Sequence, residues 1–237
     1  MAARTVALLL RCNCRSNVSV SILILLTDAH SRRQTKIEIS AMNSKETDQS
    51  LHEKKIYSKN IFSGTLLHVY KDTIELPDGS RSVREWIDHP GAAAVVPVFR
   101  NGDVQLVRQF RYPLGLSCLE IPAGKCDPGE APYGTAVREL EEEAGLLAGK
   151  WVDLGVFHPA VGYSNEAIRL YLAWDLEQRD SHTDADEFLQ LVRMPFSHAV
   201  ETCASGKITD GKTITALMLA ARWWQQNGPF EVDQLLR

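Results

Sequence analysis

The sequence predicts an α/β sandwich, and three observations support that fold class. Short runs with the composition of β-strands recur from residue 65 to residue 194, a helical pattern interrupts them after Pro132, and another helical pattern follows Asp210. Strands that are interrupted by one helix and followed by others favour a sheet with helices packed on its faces. The sequence contains neither internal repeats nor low-complexity tracts that would indicate another architecture.

Eight segments have the alternation or the β-branched composition of strands: residues 65–70, 73–76, 81–87, 92–99, 104–110, 151–157, 168–176 and 188–194. Turn residues separate several of them. Pro-Asp-Gly-Ser at residues 77–80 divides the second strand from the third. Asn101-Gly102 favours a tight hairpin turn between the fourth strand and the fifth.

Three helices are predicted. The first lies between Pro132, which suits an early helical position, and Gly145, which suits the left-handed residue that ends a helix. The second covers residues 196–204, and the third follows Asp210, a good N-cap, and ends near residue 227. Apolar residues at helical spacing predict the core-facing side of the third helix: Ile214, Leu217, Met218, Ala221 and Trp224.

Composition is that of a small globular protein rather than a nucleic-acid-binding protein. Apolar residues make up 44% of the chain, charged residues make up 24%, and the net charge is −4. This charge leaves no basic footprint for nucleic acid. The chain has five cysteines, which form neither a C-x-x-C pair nor zinc-site spacing. An odd, scattered set favours reduced thiols and therefore a cytoplasmic location.

Residues 1–41 differ in composition from the rest of the chain. Apolar runs at residues 6–10 and 18–26 are separated by Arg and Asn, and both are shorter than the roughly 20 residues that span a bilayer. No membrane attachment is therefore expected. Three origins remain open for this stretch: a transit peptide, a signal peptide, or upstream sequence before a true start at Met42. On each of them, residues 1–41 are a dispensable or targeting extension outside the fold.

A group of glutamates lies on the first predicted helix. Glu142 and Glu143 lie about 60° and 40° to either side of Glu139 around the helix, whereas Glu141 points roughly the opposite way. Like charges at these spacings repel by a few tenths of a kcal/mol per pair. Mg²⁺ or Mn²⁺ would offset this repulsion, because both prefer oxygen ligands. A solvated acidic helix face remains the alternative.

Residues around this helix complete the candidate site. The preceding loop, residues 122–129, is rich in Pro and Gly, so its backbone carbonyls can approach a metal closely. Arg138 can bind a neighbouring carboxylate through two hydrogen bonds, and Glu130 is one candidate partner.

The segment 124–146 resembles the Nudix box, G-x5-E-x7-R-E-U-x-E-E-x-G-U, in which U is aliphatic. Each specified position is filled: Gly124, Glu130, Arg138, Glu139, Leu140, Glu142, Glu143, Gly145 and Leu146. The resemblance implies the Nudix fold, a mixed β-sheet sandwiched between helices with a small amino-terminal antiparallel sheet. It also implies a Mg²⁺-dependent hydrolase that cleaves a nucleoside diphosphate linked to another moiety.

Flanking segments are similar to the ADP-ribose pyrophosphatase branch of that family: residues 84–98, 107–113, 119–124, 158–166 and 186–188. At residues 159–163 the chain departs from the Pro-Gly and small polar run of many branch members. The branch implies hydrolysis of ADP-ribose to AMP and ribose 5-phosphate. Another nucleotide sugar, such as GDP-mannose, is an alternative substrate. A non-catalytic ADP-ribose sensor is the other alternative, against which the intact box argues.

The resemblance also implies roles for individual residues. A Mg²⁺ site, with Mn²⁺ as the alternative ion, would be formed by the Ala123 carbonyl and four glutamates: Glu139, Glu142, Glu143 and Glu187. Glu187 would serve as a metal ligand or as the general base. Glu142 and Arg138 are the other candidate catalytic residues.

Substrate contacts and partners follow from the same branch. Arg111 would contact a phosphate, with the positive charge of Arg108 nearby. Trp86 would stack on adenine, although a buried or interface Trp is equally consistent with its position. The branch implies a homodimer whose dimerisation sheet comes from residues 42–90, followed by the Nudix hydrolase domain at residues 91–237. The expected partners are a small nucleotide-sugar substrate and a second copy of the chain.

Overall fold

The structure is a computed structural model that describes residues 49–179 and 188–228, together with three short strands of the preceding stretch. Backbone contacts divide the chain into a unit of residues 1–55 and 74–82 and a larger unit of residues 56–73 and 83–237. The three short strands belong to the first unit and form an antiparallel sheet: β1 (Val6–Leu9), β2 (Ser21–Leu26) and β3 (Thr35–Ser40).

A second three-stranded sheet has the order β4 (Lys54–Ser63), β5 (His68–Glu75) and β6 (Arg81–Asp88). It confirms the expected small amino-terminal sheet. The prediction of two strands at residues 65–70 and 73–76 is wrong, because β5 is continuous. No Gly or Pro interrupts it, and Asp72 is bound in mid-strand by the Ser58 hydroxyl and the Trp86 indole N–H.

The main sheet has seven strands: β7 (Ala92–Val98), β8 (Asp103–Arg111), β9 (Leu116–Glu120), β10 (Ala123–Lys125), β11 (Leu146–Phe157), β12 (Ile168–Gln178) and β13 (Leu189–Pro195). Its order is β11-β12-β7-β8-β13, with β10 beside β7 and β9 beside β8. Because β12 is parallel to β7 and the other pairs are antiparallel, the sheet is mixed, as the resemblance implies.

Helices cover both faces of this sheet. The helix α1 (Pro132–Ala144) packs on the side of Ala93 and Val95, whereas α2 (Phe196–Ala204) and α3 (Gly211–Asn227) pack on the side of Ala94 and Val96. Successive β7 residues thus face opposite cores, which explains why the whole strand is buried and apolar. The predicted sandwich is confirmed.

The helix ends follow the predicted local chemistry. Pro132 starts α1, Gly145 ends it with φ at 62°, and the Asp210 side chain accepts a hydrogen bond from the Thr213 N–H at 3.0 Å. The prediction that Met218 faces the core is wrong, since this side chain is exposed. It lies about 100° around α3 from the buried neighbouring residue, outside the buried stripe.

Candidate active site

The loop that precedes α1 is bonded to both the sheet and the helix. The carbonyl of Pro122 accepts a hydrogen bond from the Val95 N–H at 3.0 Å. The next N–H, that of Ala123, donates to Oε2 of Glu143 at 2.9 Å. These two bonds place the Ala123–Gly124 peptide against the carboxylates of α1.

Gly124 is required by the approach of Glu139. A Cβ atom added at Gly124 would lie 1.7 Å from Oε1 of Glu139, a distance at which the two atoms overlap. The carboxylate therefore occupies the space that any other residue at 124 would fill. Both Glu139 and Glu143 are buried, with 8% and 5% of their surfaces exposed.

Arg138 contacts three carboxylates at once. Its Nη1 donates to Oε1 of Glu139 at 2.8 Å and to Oε2 of Glu142 at 2.9 Å. Its Nε and Nη2 donate to Glu130 at 3.3 and 3.2 Å, as the sequence predicted for this pair. The hydrogen bond to Glu130 contributes most to raising the pKa of Arg138. Glu141, predicted to point away, is exposed.

Glu130 is itself held by three donors. Besides Arg138, the Thr135 hydroxyl donates to Oε2 at 2.8 Å and the Asp127 N–H donates at 3.1 Å. Arg138 first, and then Thr135 and Asp127, lower the pKa of Glu130 to about 2.

Replacing Glu130 by Gln should lower the free energy of unfolding at neutral pH, and the difference from wild type should shrink as the pH falls. A carboxyl group with a lowered folded-state pKa contributes stability above its unfolded pKa, here 4.5, and loses it towards its folded value of about 2. Urea unfolding of both proteins in chelator, at neutral pH and at about pH 3, measures this difference. A difference that is constant over this range would contradict the pairing.

The donor set around α1 fits a hard divalent cation. Glu139 and Glu143 are buried carboxylates, and buried carboxylates need compensating positive charge. Arg138 supplies positive charge to Glu130, Glu139 and Glu142. In the described part of the chain, no group of three His, Cys, Asp or Glu side chains lies close enough together to hold a metal ion. The predicted ligand and base Glu187 lies outside the described residues.

A cavity of about 520 Å³ adjoins this loop, within the size range of small-molecule sites. Its wall includes Ala123, Gly124 and three cationic residues: Lys125, Arg111 and Lys212. Phe157 and Ile168 add apolar surface. The cavity therefore combines positive charge, suited to phosphates, with an apolar wall, suited to a ring.

Of the predicted substrate residues, Arg111 is the one that lines this cavity. Arg108 is exposed elsewhere on β8, because residues three apart on a strand face opposite sides of the sheet. Trp86 is also not part of the cavity wall. Its ring stacks on Tyr70 with centroids 5.2 Å apart, and its N–H donates to Asp72 at 2.9 Å.

A buried carboxylate bound to Arg111 was not predicted from the sequence. Glu120 accepts two hydrogen bonds of 2.7 Å from the Arg111 guanidinium and another from Lys212. Burial alone would raise the pKa of Glu120, but the bonds from Arg111 and the charge of Lys212 lower it. A sequence clue exists: Glu120 is an isolated charge between the apolar residues Leu119 and Ile121.

For His89 and Glu166, too, no individual role was predicted from the sequence. Both line the cavity, with His89 Nε2 at 3.8 Å from Glu166 Oε1. The Gly91 N–H donates to His89 Nδ1 at 3.1 Å, which directs the ring. Their only sequence clue is membership in the segments that resemble the ADP-ribose pyrophosphatase branch.

The described residues include three of the cysteines and all three predicted helices. The cysteines among them, Cys118, Cys126 and Cys203, are buried and form no disulfide. Burial raises the pKa of Cys118 and of Cys203. None of the helices in the described ranges has the length and apolar character needed to cross a membrane.

Comparisons with known proteins identify relatives of this chain. The sequence profile of the NUDIX domain matches residues 88–217. ADP-ribose pyrophosphatase of Bacillus subtilis (strain 168) is 39% identical over 171 residues, which cover 71% of this chain and 92% of that protein. Methanol dehydrogenase activator of Bacillus methanolicus is 39% identical over 167 residues, 70% of this chain and 90% of that protein.

A solved structure has the same fold. The crystal structure of an ADP compounds hydrolase superposes with a TM-score of 0.68 at 26% sequence identity. The match covers 76% of this chain and 99% of that one.

Proposed function

Because the chain belongs to the Nudix family of hydrolases, we propose that it hydrolyses the pyrophosphate bond of ADP-ribose to give AMP and ribose 5-phosphate. One observation carries the proposal. The loop at residues 123–125, bonded to buried Glu143, borders a cavity that also presents Arg111 and Lys212. The name of the Bacillus subtilis relative supports ADP-ribose as the substrate.

We propose Mg²⁺ as the cofactor, with Mn²⁺ as a substitute. The chain would hold it through the Ala123 carbonyl and through glutamates of α1 and the later loop: Glu139, Glu142, Glu143 and Glu187. When bound, the cation would neutralise the negative oxygens that protect a pyrophosphate from attack by water. The hard oxygen ligands and the buried negative charge of α1 support this assignment.

Other residues of the chain would bind the phosphates, orient the glutamates and accept a proton. Arg111 offers positive charge to the phosphates from the cavity wall. Arg138 orients Glu139 and Glu142 through its Nη1. Glu187 would accept the proton of the attacking water or bind metal, a role that rests on the family resemblance.

We also propose a homodimer located in the cytoplasm. Support for the dimer comes from β4, whose residues are exposed although they include Ile56, Tyr57, Ile61 and Phe62. The unpaired cysteines of the described residues support a reducing compartment. Analytical ultracentrifugation would measure the oligomeric state.

A substrate panel tests the proposed reaction. Phosphatase-coupled phosphate release from ADP-ribose, GDP-mannose, ADP-glucose and NADH should give the highest kcat/KM for ADP-ribose. Activity should disappear in EDTA and return with Mg²⁺. Preference for GDP-mannose would replace the proposed substrate, and binding of ADP-ribose without hydrolysis would replace catalysis by sensing.

Replacing Glu187 by Gln should lower kcat at least about tenfold and change KM little, because a base or a metal ligand acts mainly in the transition state. Asp184→Asn, three residues earlier, is the matched control and should be milder. Steady-state kinetics with ADP-ribose measures both. If Asp184→Asn lost kcat and Glu187→Gln did not, Asp184 would be the functional carboxylate.

A further inference from the structure

Glu120 connects two cationic residues of the cavity wall, Arg111 and Lys212. Its side chain is only 3% exposed, and its Oε1 and Oε2 accept from Nε and Nη2 of Arg111. Oε2 also accepts from Nζ of Lys212. One buried carboxylate thus fixes both positive groups, which are themselves part of the cavity wall.

Lys212 is held in place from α3. Its Nζ lies 3.0 Å from Oδ2 of Asp210, the N-cap of that helix. The same helix end is tied to the strand that carries Glu120, because the hydroxyl of Thr213 accepts from the Ile121 N–H at 3.0 Å. The ammonium group is therefore fixed relative to Glu120, and the Lys212 side chain is only 13% exposed.

Lys212 offsets negative charge close to Arg111. Arg111 and Lys212 carry two positive charges against the negative charges of Glu120 and Asp210. Without Lys212, the Arg111 guanidinium would be the remaining cation of this group, paired with Glu120 and attracted by the charge of Asp210. Its positive charge would then be largely neutralised by the protein before an anionic substrate arrives.

Resting on the proposed function, we infer that Lys212 is a positioning residue for Arg111. By sharing Glu120, Lys212 helps to fix the guanidinium in the cavity wall and keeps its charge available for a phosphate of the substrate. The family profile ends at residue 217, so Lys212 falls within the matched domain but outside the Nudix box. Substrate binding should therefore depend on a side chain 92 residues away from Glu120.

The primary test replaces Lys212 by Met, which keeps much of the apolar side chain and removes the charge. KM for ADP-ribose should rise about tenfold with kcat nearly unchanged, the pattern of lost ground-state binding. Lys212→Arg, which keeps the positive charge, should have a KM much closer to the wild-type value. Isothermal titration with ADP-ribose in EDTA should show the same weakening in Kd, independently of metal and turnover.

A matched control is Lys207→Met, which removes the same charge from an exposed residue before α3. It should leave KM and Kd at the wild-type values. Thermal unfolding of each variant separates positioning from general stability. If Lys212→Met lowered only the Tm and left KM and Kd unchanged, the inference would be overturned.

A double-variant cycle distinguishes action through Glu120 from direct contact with the substrate. In the Glu120→Gln background, adding Lys212→Met should cost little more binding, because Lys212 then lacks the shared carboxylate through which it acts. Fully multiplicative effects on Kd would show direct contact and overturn the inference. A wild-type protein that neither binds nor hydrolyses ADP-ribose overturns the proposed function and this inference together. If the wild-type protein binds ADP-ribose and Lys212→Met binds it equally well, the inference alone is overturned.

Discussion

Replacing Glu143 by Gln should reduce turnover at least about a hundredfold while the protein remains folded. The carboxylate is buried, and its Oε2 accepts from the Ala123 N–H at 2.9 Å. A glutamine has the same shape, and its amide oxygen can accept the same bond, so the loop should keep its place. What is lost is the negative charge that the proposed Mg²⁺ site requires.

Kinetics with ADP-ribose and saturating Mg²⁺ measures this effect, and titration with Mn²⁺ measures metal binding directly. Thermal unfolding in chelator should be equal to wild type or slightly higher, because the substitution relieves repulsion between like charges on α1. The matched control is Glu141→Gln, which removes the same charge from the exposed side of that helix. Near-wild-type turnover of Glu143→Gln would rule out the metal assignment.

Replacing Gly124 by Ala should have an effect of similar size, about a hundredfold in kcat, for a steric reason. The added Cβ would lie 1.7 Å from Oε1 and 2.1 Å from Cδ of Glu139, so the carboxylate must move. Movement of Glu139 also disturbs its 2.8 Å bond to Arg138. A displacement of about 1 Å at a reacting centre is enough to cost two orders of magnitude.

Gly162→Ala is the control for this substitution, because a Cβ at that exposed residue meets nothing within 4 Å. It should keep wild-type kinetics. For Gly124→Ala, the apparent affinity for Mn²⁺ should fall together with kcat. Unchanged metal affinity in Gly124→Ala would show that Glu139 is not a ligand, even if activity were lost.

Elements fixed by local chemistry were predictable from the sequence. Pro132 and Gly145 delimit α1 because one lacks an N–H donor and the other adopts a positive φ. Asp210 caps α3 because its side chain reaches the Thr213 N–H. The pair of Arg138 and Glu130 was also predictable, because both lie within one continuous motif.

Contacts that join distant parts of the chain were not predictable. Glu120 and Lys212 are 92 residues apart, and only the folded sheet brings α3 against the strand that ends at Glu120. The strands β9 and β10 have five and three residues, too few to show an alternating pattern. The contacts of Trp86 were unpredictable for the same reason. Its partners Asp72 and Tyr70 are brought to it by sheet pairing and are not its neighbours in sequence.

The loop before α1 constrains how such an enzyme can diversify during evolution. Ile121, Ala123 and Cys126 each donate their N–H to a different part of the fold: Thr213 of α3, Glu143 of α1, and the backbone of Gly91. An insertion here would break several bonds at once, so we expect this wall of the cavity to accept little new sequence. Another part of the wall, at Pro159, belongs to an exposed loop in which Val161 and Tyr163 are largely solvent-accessible. New substrates can therefore be acquired at that part of the wall while the hydrolytic machinery stays the same.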